Sequence, residues 1–437
     1  MKFNLKIVLF KSYRNAFLQI FLKIASLISP LILLPWALNA SNPPVYGEYC
    51  ALLALFNFMI SLDLGIANLA NGKVAGMLAS KEHILLTSFV KQSRQTLNLL
   101  ALFLSAPIFF CSLLLLDYMR GNSFRIFGSI SLVISFIFTL SVYLAFLGNF
   151  GLKLGLAQQQ NQKVVMLTTL QTLIPFFGFL LFRNGLDLID LVFLFIFLPQ
   201  LLACLSYMIF SRRLNKRYFL IKEISDKMSS SQVIRESSLF FFLQLANVIS
   251  TQIDALIVAL LLNSRSAAEL AITWRFYGIP LQFLSLLSTP LWALAAAAKV
   301  NGTERSVILK LNRLLFIALL LLTGFSFFSF WCAKPILAYW TNGLISPGLL
   351  LLFSCSLWLV VSGLVNPVAA ILNGLAERKF LIRIYSFSTI VNIGCSVSAT
   401  LILQSNAGVL LGSMIAQIGF FLLPAFRYLR KETLPNA

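Results

Sequence analysis

The chain has 437 residues, 59% of them hydrophobic and only 11% charged, with a formal net charge of +20 at pH 7. That balance excludes a soluble globular domain of this length. The positive charge does not signal nucleic acid, because it is spread over many gaps between apolar runs rather than gathered into one basic groove.

A helix needs about 20 apolar residues to cross a bilayer. In chain order the apolar stretches cover 15–38, 49–70, 97–116, 126–150, 164–182, 188–210, 238–262, 270–298, 314–332, 349–375, 384–403 and 408–426. They predict an all-α polytopic membrane protein with about 12 transmembrane helices. The first stretch is too long for a signal-peptide core and is interrupted by Lys23, so it reads as an uncleaved span. Lys and Arg sort by alternate gaps. One set, from Lys2 to Lys431, holds 27 of the 34, whereas the other holds only Arg120, Arg125, Arg183, Arg265 and Lys334. Positively charged loops stay inside, so the N- and C-termini are expected to be cytoplasmic.

The longest polar stretch divides the chain into an N-terminal six-helix half (1–210), a basic cytoplasmic linker (211–237) and a C-terminal six-helix half (238–437). Each half starts and ends on the same side, so a repeat would be a parallel one. Prolines such as Pro30, Pro35, Pro107, Pro175, Pro280, Pro290 and Pro367 fall inside spans, as kinks or as walls of a cavity. Trp36, Tyr46, Tyr49, Tyr118, Trp331, Tyr339 and Trp340 fall near outer span ends, where an interfacial aromatic belt is expected.

Lys23, Asp63, Asp254 and Arg275 lie well inside spans. Each costs about 3 kcal/mol at mid-bilayer on insertion scales, so each needs a partner or a purpose. Opposite charges fall at similar depth on consecutive spans, Lys23 with Asp63 and Asp254 with Arg275. Two readings stand side by side. Either these are ion pairs that cancel buried charge, or they face a shared cavity in which cations meet an anionic substrate and an aspartate binds a coupling ion. Asn57, Asn68, Asn247 and Gln252 accompany the aspartates, and helix-to-helix hydrogen bonding is the default for such residues.

Several chemistries are missing. No Gly-x-x-x-x-Gly-Lys-Ser/Thr run is present, so no nucleotide-driven pump is expected. His83 is the only histidine and the six cysteines are scattered, so no metal site and no cofactor are expected. Outer gaps are too short for a catalytic domain, so the chain is not expected to be an enzyme.

Short motifs in order then carry a resemblance. Tyr46-Gly47-Glu48-Tyr49 precedes Leu62-Asp63-Leu64-Gly65-Ile66-Ala67-Asn68. Gln252-Ile253-Asp254 supplies a Gln-x-Asp element, and Thr289-Pro290-Leu291-Trp292 matches a Pro-Leu-Trp-Pro signature with Ala293 at the second proline. Leu372-Asn373-Gly374-Leu375 closes the tenth span. Over roughly 10–425 the chain resembles the polysaccharide transporters, the O-antigen and capsule flippases of the multidrug/oligosaccharidyl-lipid/polysaccharide (MOP) flippase superfamily. The resemblance implies two six-helix lobes around a central cavity in a bacterial inner membrane. It also implies alternating-access transfer of an isoprenoid-diphosphate-linked oligosaccharide from the cytoplasmic to the periplasmic leaflet, in lipopolysaccharide or capsule biosynthesis. Implied partners are that lipid-linked oligosaccharide, membrane lipids, a proton or sodium counter-ion and other polysaccharide assembly proteins.

Asp63, Gln252, Asp254 and Trp292 fall on family motifs, while Lys23 and Arg275 match by span and charge. The expected substrate-binding set is Lys23, Asp63, Gln252, Arg275 and Trp292, and the coupling-ion candidates are Asp63 and Asp254. A cation-coupled multidrug and toxin extrusion (MATE) exporter is the alternative, and an oligosaccharide polymerase a more distant one.

Overall fold

Backbone amides in hydrocarbon must be satisfied within their own segment, and this chain does so with helices. The computed structural model describes residues 22, 25–26, 28–29, 32–80, 82–120, 129–181, 185–218, 229–301, 304–375 and 378–433. Among them no strand occurs. The helices are α1 (Ile32–Ser41), α2 (Pro43–Ile60), α3 (Ile66–Ala79), α4 (His83–Met119), α5 (Ser129–Ala157), α6 (Asn161–Leu181), α7 (Leu188–Val192) and α8 (Leu198–Tyr218). They continue with α9 (Ser230–Gln252), α10 (Asp254–Leu261), α11 (Ser264–Asn301), α12 (Glu304–Trp340), α13 (Leu349–Gly374), α14 (Arg378–Leu403), α15 (Ala407–Ala416) and α16 (Leu423–Thr433). Wider π turns at Phe193–Phe197 and Gln417–Leu422 join α7 to α8 and α15 to α16 without breaking the rod.

Seven helices among the described residues are long and apolar enough to cross a membrane, eight if α9 and α10, bent by 47°, count as one span. Their outer faces carry large apolar side chains that water would not tolerate in such number: Phe103 is 78% exposed, Ile402 80% and Tyr339 89%. This is a multi-pass membrane protein. Two expectations change. The apolar run 49–70 is not one rod but is broken at Ser61–Gly65, for a reason given below. Tyr46 and Tyr49 are buried, with ring centroids 5.6 Å apart, and so do not belong to an interfacial belt, whereas Tyr118, Trp331 and Tyr339 are exposed.

The chain divides into two compact units, one of Met1–Ser41 with Met59–Phe241 and one of Asn42–Phe58 with Phe242–Ala437. Small residues set the packing inside each. In the first, α5 presents Gly148, Gly151 and Gly155 to α8, where an added Cβ would fall within 3 Å of Ala203, Tyr207 and Phe210. In the second, α15 carries a Gly-x-x-x-Gly pair, Gly408 and Gly412, pressed on the backbone of Thr400 and Ser396 of α14. Such pairs let helix backbones approach closely where no hydrophobic effect drives association. Ala295, Ile308, Val368, Leu372, Ile384 and Phe421 anchor the core at one end of this second unit. The two 37-residue helices, α4 and α12, both hold an internal proline, Pro107 and Pro335.

Candidate functional site

The Asp63 break is built by its own sequence. Leu64 (φ 55°) and Gly65 (φ 71°) are left-handed, which ends α2 and redirects the chain into α3. The Gly65 amide N–H donates to Asp63 Oδ1 at 2.9 Å, and the Ile66 N–H donates to the Asp63 carbonyl at 3.2 Å. Asp63 is 1% exposed. Its charge interacts with that of Lys153 near the end of α5, a residue the sequence placed in a loop. Lys23, the expected partner, lies outside the described residues.

Asp63 thus holds both a turn and a countercharge, and the two can be separated. Asp63→Asn keeps an acceptor for the Gly65 N–H but removes the negative charge that Lys153 feels, whereas Asp63→Ala removes both. The alanine variant should be the less stable by about 0.5–2 kcal/mol, the worth of a side-chain cap. Thermal melting of the two purified variants checks this.

Beside this break the start of α9 is tied to α3 and α4. Lys73 pairs with Glu236, its ammonium also lies 5.3 Å from the centre of the Phe89 ring, and Gln92 bonds Ser230.

Asp254 opens α10 just past the bend at Ile253 and is 7% exposed. Its expected partner, Arg275, is not there: the two make no ion pair. Instead Ser413 Oγ of α15 lies 3.4 Å from each carboxylate oxygen. Around that hydroxyl converge Asn392 and Ser396 of α14. Asn392 Nδ2 donates to Ser413 Oγ at 3.2 Å, and Ser396 Oγ donates to Asn392 Oδ1 at 3.2 Å and to the Val409 carbonyl at 3.0 Å. Asn392, Ser396 and Ser413 are fully buried. A buried carboxylate with one long hydroxyl contact is underserved, and a proton or a cation would complete it. Asp254 and Ser413 offer oxygen, the ligand type hard cations take, with the Asn392 side-chain oxygen 3.4 Å from that hydroxyl, beside a helix break of the kind that forms such sites. Among the described residues no group of three or more His, Cys, Asp or Glu gathers as a transition-metal site.

Gln252 and Arg275 do not join Asp254. Gln252 Oε1 accepts from Asn57 Nδ2 at 3.0 Å, a helix-to-helix bond on a different face from Asp254. Arg275 is exposed on α11, and its charge acts on Tyr46, Tyr49 and Cys50 of α2. Trp292 lies on α11, with its side chain outside the described residues. A cavity of about 500 Å³ between α4 and α5 is mostly apolar, lined by Phe109, Phe136 and Phe146 among others; of its polar residues Ser105, Thr139 and Tyr143, the first two donate to carbonyls of their own helices. Sequence reasoning missed Lys153, Asn392, Ser396 and Ser413. The signal was there as Asn392-x-x-x-Ser396, one turn apart on a single helix face.

No family model matches the sequence, and no curated protein matches it. Solved structures do. The chain resembles the lipid II flippase MurJ in an inward closed conformation, with a TM-score of 0.73 and 16% identity over 96% of this chain and 87% of that one. An inward-facing multidrug resistance MATE family transporter of the MOP superfamily is similar at TM-score 0.66 and 14% identity, over 95% of this chain and 100% of that one. Its outward-facing counterpart gives 0.57 and 15%, over 95% and 96%. These neighbours are transporters rather than enzymes. At such identities the likeness speaks to architecture: the chain has the fold shared by MATE transporters of the MOP superfamily and the lipid II flippase MurJ.

Proposed function

We propose that this protein is a flippase that moves an isoprenoid-diphosphate-linked oligosaccharide, an O-antigen or capsule repeat unit, from the cytoplasmic to the periplasmic leaflet of a bacterial inner membrane. In this reading 1–210 and 238–437 form two six-helix lobes joined by the 211–237 linker. They alternate around a central cavity with both termini cytoplasmic. The observation that carries it is Arg275, an exposed arginine on a helix of the expected eighth span with no carboxylate partner among the described residues. A guanidinium at that depth needs water or an anion, and it binds phosphate in a bidentate fork. Lys23, Asp63, Gln252 and Trp292 complete the proposed substrate set. The oxygens around Asp254 are the proposed site of a coupling sodium ion or proton, with Asp63 the second candidate. The similarity to MurJ, a lipid II flippase, supports a lipid-linked cargo.

A MATE-type exporter on the same fold is the second reading, favoured by the MATE neighbours and by the buried carboxylates of Asp63 and Asp254. Purified protein in liposomes separates them. One assay follows inward-to-outward transfer of a fluorescent isoprenoid-diphosphate sugar, the other efflux of a cationic dye. Lipid transfer that falls at least about tenfold in Arg275→Gln, with melting unchanged, is the expected result. Dye efflux without lipid transfer would install the exporter reading instead.

A further inference from the structure

The last two long spans form a hairpin whose free ends meet. Only Gln404, Ser405 and Asn406 separate α14 from α15, so the start of α14 and the end of α16 lie on one face. Packing fixes them together: Phe380 stacks on Tyr428 with centroids 4.7 Å apart and planes at 26°, and Leu381 and Ile384 share a core with Ala425 and Leu429. The outward side chains beside this stack are cations. Lys379 and Arg383 are exposed on α14, and Arg427, Arg430 and Lys431 are exposed on α16. None of Lys379, Arg383, Arg427 and Lys431 has an ion-pair partner among the described residues.

Such a cluster repels itself, and α14 adds to the cost. Its first turn holds no acid, so Lys379 sits at the positive end of a helix dipole. One turn deeper, Leu423 and Phe426 are exposed on α16, the side that faces hydrocarbon when the span Ala407–Lys431 crosses a bilayer. Charge at the rim and apolar surface beneath it complement an amphiphile, not a soluble acidic chain.

We propose that this end of the α14–α16 hairpin is a binding site for an anionic phospholipid. Its phosphate lies among Lys379, Arg383, Arg427 and Lys431, and its chains run along Phe426 and Leu423. Charge-assisted hydrogen bonds to the phosphate satisfy these cations where no described carboxylate does. The site is separate from the residues proposed to take cargo or coupling ion.

The test uses the full chain in detergent, titrated with phosphatidylglycerol or phosphatidylcholine, and counts retained lipids by native mass spectrometry. The native protein should prefer phosphatidylglycerol by at least about tenfold. That preference should vanish in the quadruple variant Lys379→Gln, Arg383→Gln, Arg427→Gln, Lys431→Gln. It should persist in a variant that loses four exposed charges elsewhere, by Lys91→Gln, Arg94→Gln, Lys163→Gln and Arg212→Gln. Equal loss in both variants, or no preference in the native protein, would overturn the proposal. A second measurement keeps all native charges and places a photoreactive phenylalanine analogue at Phe426 in membranes. A phospholipid adduct is expected, and an adduct to protein alone would overturn the site even if the quadruple variant failed to fold.

Discussion

Gly65→Ala should destabilise the protein by about 2–5 kcal/mol. Two independent costs add. A left-handed conformation costs an L-residue about 1–2 kcal/mol, and Gly65 sits at φ 71°. The new Cβ would also fall 2.5 Å from the Phe241 nitrogen and 2.7 Å from the Ser237 carbonyl oxygen. Those are backbone atoms of α9, which cannot swing aside as a flexible side chain could, and overpacking of this kind costs about 1–3 kcal/mol. Gly72, one and a half turns into α3, supplies the control: no atom lies within 4 Å of its added Cβ. Gly72→Ala should be neutral or stabilising by up to about 1 kcal/mol. Thermal melting in detergent compares the three proteins. Equal melting of Gly65→Ala and the native chain would mean that α9 does not rest on this turn.

The second large effect concerns cation binding rather than folding. If the oxygens around Asp254 bind sodium, the ion stabilises the folded state by about 2.7 kcal/mol at one hundred times its dissociation constant. Melting of the native protein should therefore rise with sodium at constant ionic strength. Asp254→Asn retains the shape and removes the charge, and loss of a group in such a shell weakens binding by about 10–100-fold or more. The sodium-dependent rise should then disappear. Asp117 offers a matched comparison, a buried aspartate of α4 whose Oδ2 has no partner. Asp117→Asn should leave the sodium response intact. A full response in Asp254→Asn would move the ion elsewhere. A native protein indifferent to sodium would leave a proton as the ion for this carboxylate.

The helical class was legible because it follows from composition and from runs of apolar length, which depend on neighbouring residues only. Asp63 and Asp254 were legible as residues out of place for the same reason. Their partners were not. Depth along a span is an axial coordinate, and it matched Asp254 with Arg275. Pairing also depends on azimuth, which a single sequence gives only relative to its own helix. Asp254 turns toward Ser413, 159 residues away, while Arg275 is exposed on α11. The different faces of Gln252 and Asp254 could be read, because both lie within one turn, and Gln252 does bond elsewhere, to Asn57. The break at Asp63 hid inside an apolar run because Leu64, a residue that seldom takes a positive φ, occupies one of its two left-handed positions.

One feature of the chain's division bears on how the protein is made. The segment Asn42–Phe58 packs with the second unit although it is flanked on both sides by the first. Gly47 meets Ser264, and Asn57 meets Gln252. The ribosome therefore delivers this helix roughly 200 residues before its partners, a wait of about 10–40 s at ordinary elongation rates. Through that interval Gly47 and Asn57 wait without Ser264 and Gln252, the residues they finally meet. The early chain must be held in place by the insertion machinery or by temporary neighbours, and a ribosome stalled before Ser264 should leave α2 open to attack by protease or thiol reagent at Cys50.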